Sequence, residues 1–107
     1  MQYRQGDVLL VEVEEFDLSG YQKAEKPTVA LGEATGHHHT FDGDVDVYEK
    51  TEESTMAVNE RGMLVEIKSD KATLVHQEHG AIEVPKGKYQ RIIQRQYTPA
   101  GIVNVAD

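Results

Sequence analysis

The chain has 107 residues, enough for one domain (1–107) around one modest core. Apolar residues make up 38% and aromatic ones 7%, so that core is aliphatic. Nineteen acidic against 11 basic residues give a formal charge of −8, which repels a phosphate backbone or an anionic membrane, and the lack of cysteine excludes disulfides, thiolate metal sites and cysteine nucleophiles. No nucleic acid and no membrane are therefore expected as partners. The opening MQYRQGDVLL has no apolar run behind a basic start, and Val8–Val11 is far too short to span a bilayer. The reading expects neither a secretory signal nor a membrane segment, and a cytoplasmic location.

In chain order, Gly6-Asp7 is a turn that enters a strand over Asp7–Glu15, with Val11 and Val13 on one side and Glu12 and Glu14 on the other. Glu15–Lys26 is polar, holds Gly20 and stops at Pro27; it reads as a loop, with a short helix as the alternative. Thr28–Leu31 is a short strand. Gly36 leads into His37-His38-His39-Thr40-Phe41, and Asp42-Gly43 signals a hairpin because both residues tolerate positive φ. Asp44–Tyr48, Ser54–Val58, Met63–Ile67 and Thr73–His76 read as further strands, with turns at Asn59–Gly62 and Ser69-Asp70. Ile82–Val84 precedes a Pro85-Lys86-Gly87 turn, and Lys88–Tyr97 is the longest candidate strand, with a helix as its rival over Tyr89–Gln96. The tail Val105–Asp107 is read as an edge strand or a loose end. About eight short strands with regular turn signals point to an all-β, single-domain small barrel or a sandwich/jelly roll, with at most one short helix.

All five histidines fall in two short segments: His37-His38-His39, and His76-x-x-His79. On a strand, His37 and His39 share one face and His38 takes the other. The second pair occupies a strand end and the turn after it, where a bent backbone lets two side chains converge. If the two segments are neighbours, His37, His39, His76 and His79 form one shell of imidazoles. Such a shell holds a divalent first-row metal such as Zn, Fe, Ni or Mn without thiolates. The plainer alternative is a solvated strand and turn; a third is a metal-free proton acceptor or pH switch. Glu33 and Glu78 are candidate catalytic groups, as an additional ligand, an acceptor that orients an imidazole, or a base for bound water.

Other chemistries fit less well. Asp42, Asp44, Asp46 and Glu53 match four positions of a calcium loop, but Val47 stands where the turn needs glycine. The three serines have no nucleophile-elbow context, and no phosphate-binding glycine loop is present. Arg91 and Arg95 share a face with Tyr89 and Tyr97, which reads as a solvated face or an anion- or partner-binding one.

The segments GEATGHHHTF, LVHQEHGAIEVPKGKYQ and RQYTP, with the opening RQGDVLL, resemble a family of small uncharacterised bacterial and phage-type proteins. That family carries a glycine-histidine-x-histidine segment, a later H-x-x-H, a proline-x-glycine-x-tyrosine turn and a closing Gln/Arg-rich strand. The resemblance implies that His37, His39, His76 and His79 recur and that His38 is incidental. It implies no activity. More loosely, Gly36, His37 and His39 with Pro85 and Gly87 are similar to the cupin pattern, although Gln90 stands where the last cupin ligand would be. This implies a closed barrel or jelly roll, with His76 and His79 supplying the missing ligands.

Two functions follow. One is a binding or assembly module in which the histidines clamp an ion, with a second copy or another protein as partner. The other is a small cupin-like metal-dependent enzyme, a hydrolase, isomerase or dioxygenase. A protein-interaction domain without metal is the remaining alternative.

Overall fold

The computed structural model describes residues 1–31, 37–98 and 101–104, with 95–98 and 101–104 as backbone only. The fold is all-β. The described residues form ten strands: β1 Gln2–Gln5, β2 Val8–Val13, β3 Tyr21–Lys23, β4 Thr28–Leu31, β5 His38–Asp42, β6 Val45–Lys50, β7 Met63–Val75, β8 Ile82–Ile93, β9 Arg95–Thr98 and β10 Gly101–Asn104. The first eight form one sheet in the order β1-β2-β8-β7-β5-β4, with β6 also on β7 and β3 on β6. The sheet curls into a half-barrel. This is the all-β small barrel of about eight strands that the sequence predicts, open along one side. Among the described residues, strands β9 and β10 pair with each other as a separate two-stranded sheet. No described helix is long and apolar enough to cross a membrane.

The curl comes from a corner that crosses three neighbouring strands. Asp42-Gly43 does not reverse the chain as a hairpin. Strand β5 pairs with the second half of β7 (Thr40↔Val75) and β6 with its first half (Val45↔Ile67), so β5 and β6 run on in one direction along the same edge. Gly43 has φ 136° and a Cβ there would lie 3.1 Å from the Ala72 Cβ, so it permits a close crossing of two backbones. Opposite it, Ser69-Asp70 is a bulge inside β7, and Pro85-Lys86-Gly87 lies inside β8 where the register shifts between Ile67 and Lys71. The three predicted turns are real departures from regular strand. They stack as one bend instead of ending three elements.

The corner also switches which residues face inward. Before it, Met63, Val65 and Ile67 are buried on β7; after it, Ala72 and Leu74 are. On β8 the buried set passes from Val84 to Tyr89 and Arg91. The pleat changes parity on both strands across this corner, so each stretch keeps its own inward set in the core. The core is completed by Val8, Leu10, Val29, Phe41 and Val47.

Other expectations are corrected. Tyr21–Lys23, inside the expected loop, pairs with β6. Ser54–Val58 is not a strand: single 3-10 turns at Thr51–Glu53 and Val58–Glu60 bracket it, and the short helix allowed over Glu15–Lys26 is absent. Lys88–Ile93 is strand, the rival helix is not formed, and β8 reaches back to Ile82. Val105–Asp107 lie outside the described residues. Asp46, offered to calcium by the sequence pattern, is bridged by Lys23 at 3.0 Å and Lys68 at 2.9 Å.

Candidate functional site

The inward faces bring the two histidine segments together at one end of the half-barrel. On β5 the alternation that buries Phe41 also buries His39, which is fully inaccessible to solvent. On β7 the series Ala72, Leu74 continues to His76 just past the strand end, and the turn that follows carries His79. Ring centroids of His39 and His76 are 4.3 Å apart, His76 and His79 4.6 Å, and His39 and His79 5.9 Å. His37 stands edge-on to His76 at 5.7 Å. The Nε2 atoms of His39, His76 and His79 are all shielded from solvent. All four histidines expected to share a site therefore meet. His38 points elsewhere: its backbone N–H donates to Gln77 Oε1 at 2.9 Å, and its side chain lines an outer groove.

The inner wall of the cluster is polar and buried. Gln5 ends the inward face of β1 and is 3% exposed; Asp7, in the β1–β2 turn, is 5% exposed. That turn takes two residues, with Gly6 at φ 60°, which glycine adopts without strain. Gln5 Nε2 donates to the carbonyls of Leu74 (2.8 Å) and Gly80 (2.9 Å), joining β1 to the far side of the curled sheet. Its Oε1 lies 2.9 Å from His39 Nδ1. Asp7 Oδ1 lies 3.7 Å from His39 Nε2.

Behind Asp7 sits Arg91, 5% exposed. It is neither a solvated nor a partner-facing residue, contrary to its sequence reading. Its guanidinium donates to the carbonyls of Val29 (2.8 Å), Val58 (3.2 Å) and Arg61. Burial pulls its pKa down to about 10 and the Asp7 charge acts against that, so it stays a cation at neutral pH.

The outer rim is more open. Glu78 Oε1 lies 3.4 Å from His37 Nδ1, and the Glu78 backbone N–H donates to His76 Nδ1 at 3.1 Å. Glu33 lies outside the described residues. A depression of about 220 Å³, lined by His38, Thr40, Val75, His76 and Gln77, touches the site from outside. A larger groove of about 670 Å³ contains none of His37, His39, His76 or His79, so its size does not make it the chemical site. Among the described residues no group of three or more His, Asp or Glu side chains is arranged as one that could hold a metal ion.

Sequence reasoning missed Gln5, Asp7 and the burial of Arg91. Gly6-Asp7 read as a turn and nothing more. Only the curl of the sheet places that turn beside residues more than 30 positions away.

The chain belongs to the family described as Domain of unknown function (DUF8820), which it matches over residues 4–94. No curated protein and no solved structure matches it.

Proposed function

We propose that this DUF8820 protein is a small metal-binding module that holds a divalent first-row transition ion (Zn, Fe, Ni or Mn) at its histidine cluster. His39, His76 and His79 are the central ligands. Asp7 stands on the inner side, and His37 with Glu78 on the rim. The observation that supports this reading is the convergence of three imidazoles, drawn from β5 and from the end of β7, with their Nε2 atoms shielded from water. Imidazolium ions packed at these separations would repel one another. Neutral imidazoles supply the lone pairs that a borderline cation takes at about 2.0–2.1 Å. The carboxylate of Asp7 adds a hard, charged donor of the kind common beside histidine ligands.

His76 must change to take part. While the Glu78 N–H donates to its Nδ1, neutral His76 carries its proton on Nε2. Ligation through Nε2 moves that proton to Nδ1 and turns the Glu78 N–H away; ligation through Nδ1 displaces the same bond. Binding through either nitrogen therefore requires the His76–His79 turn to shift.

The test is elemental analysis of tag-free protein, wild type against His39→Ala and His76→Ala. Near-stoichiometric metal in the wild type, lost in both variants, supports the shared site. Wild-type protein that stays metal-free after loading with zinc, iron, nickel and manganese overturns it.

The enzyme reading rests on one observation: a small depression reaches His76 while Glu78 borders the same cluster. It requires a coordination position open to a water molecule. Exchange of bound water, read by proton relaxation on the manganese-loaded protein, separates it from a closed structural site.

A further inference from the structure

We infer that Gln5 is a positioning residue for this centre: it fixes the proton of His39 on Nδ1 and so turns the Nε2 lone pair into the cluster. The inference rests on the metal-binding reading for its purpose, but its geometry stands independently. An amide has one donor end and one acceptor end. Both Nε2 hydrogens of Gln5 are committed, to the Leu74 carbonyl at 2.8 Å and the Gly80 carbonyl at 2.9 Å. Flipping the amide would set its oxygen against two carbonyl oxygens, so the orientation is determined by the network. The end left for His39 is therefore an acceptor, and Nδ1, 2.9 Å from it, must be the donor. This holds whether His39 is neutral or protonated. In the neutral ring the lone pair is then on Nε2, the atom that faces Asp7 at 3.7 Å and lies shielded in the cluster.

The same contacts tie three parts of the site together. Gln5 spans from β1 to the end of β7 and to Gly80, next to His79. One side chain thus holds the His39 ring and the backbone that bounds the second histidine segment. Protein acceptors of this kind, bonded to the outer nitrogen of a ligating histidine, set its tautomer and raise its basicity. Ordinarily the acceptor is a carboxylate, a backbone carbonyl or water; here a glutamine side chain has the role.

The experiment pairs two variants with two readouts. Gln5→Met keeps the volume but removes both the acceptor and the donors. Gln5→Glu keeps an acceptor for His39 and loses the donors to Leu74 and Gly80. The first readout is the imidazole ¹⁵N spectrum of the metal-free protein. The second is zinc affinity by competition with a chelator. Expected are His39 with a protonated Nδ1 and a pyridine-like Nε2 in the wild type and Gln5→Glu, and loss of that pattern in Gln5→Met. Zinc binding should weaken roughly 10–100-fold in Gln5→Met and less in Gln5→Glu. A merely structural role predicts the reverse order, because the buried carboxylate faces two carbonyl oxygens and destabilises the fold more. A protonated Nε2 with a bare Nδ1 in neutral wild-type His39 overturns the inference, as does equal zinc affinity in Gln5→Met and wild type. If the wild type takes no zinc, the metal reading fails while the ¹⁵N spectrum still decides the role of Gln5.

Discussion

Replacing Arg91 with methionine removes a buried guanidinium. Three carbonyls, of Val29, Val58 and Arg61, lose the guanidinium donor, and the cation on which the Asp7 charge acts is gone. Leaving a buried acceptor without its charged donor costs about 1–3 kcal/mol, so the three carbonyls together, partly rehydrated, put the loss at about 3–5 kcal/mol. For a chain of this size the fall in Tm is roughly 10–25 °C. The assay is urea unfolding of metal-free protein, comparing midpoints at constant slope. Two further variants keep the result interpretable. Arg91→Lys retains the charge but cannot reach three carbonyls with a planar fork, and it should lose about half as much. Adding Asp7→Asn to Arg91→Met should recover about 1–2 kcal/mol relative to the sum of the single losses, since the neutral amide needs no cation. A loss below about 1 kcal/mol in Arg91→Met refutes the claim that its hydrogen bonds hold this wall, and strict additivity with Asp7→Asn refutes electrostatic coupling between the two residues.

Two other perturbations follow from the same structure. Tyr89 is fully buried, its hydroxyl donates to the Pro85 carbonyl at 2.7 Å, and burial pushes its pKa up to about 12. Because the folded value exceeds the unfolded one near 10, the associated stability of about 2–3 kcal/mol is present below pH 10 and lost as pH rises towards 12; alkaline unfolding of Tyr89→Phe should lack that component. Gly43→Val places a branched side chain at φ 136° and against Ala72, so thermal unfolding should show a loss of about 2–3 kcal/mol, whereas an unchanged Tm would mean that the corner does not need glycine.

Much of the site was legible because pleat alternation is local. Strand periodicity places His37 and His39 on one face and His38 on the other without any tertiary information, and the structure follows it. The all-β class was equally legible from alternating segments and punctuation. What failed was the meaning of the punctuation. Asp42-Gly43, Ser69-Asp70 and Pro85–Gly87 each signal a departure from regular strand, but a single chain segment does not reveal whether such a departure ends a strand or bends it. That depends on neighbours, and here the three signals lie beside one another across the sheet. Arg91 was misread for a related reason. Its strand has no purely apolar face, so sequence alone offered no ground for burying a guanidinium. The burial is made possible by carbonyls from β4 and from the Val58–Arg61 segment, none of which is near it in sequence. Gln5 and Asp7 joined the site only through the curl that the misread corner creates.

Whether the two histidine segments hold one ion separates a metal-binding module from a metal-free interaction domain. Cobalt(II) titration of metal-free protein, read by visible absorption, tests this most directly, because the ligand-field bands report coordination by protein nitrogen as well as binding. The prediction is saturation at about one ion per chain, loss of the bands in His39→Ala and in His76→Ala, and an unchanged spectrum in His38→Ala, whose side chain faces away. Absence of bands in the wild type, or bands that survive in His39→Ala and His76→Ala but vanish in His38→Ala, would contradict it.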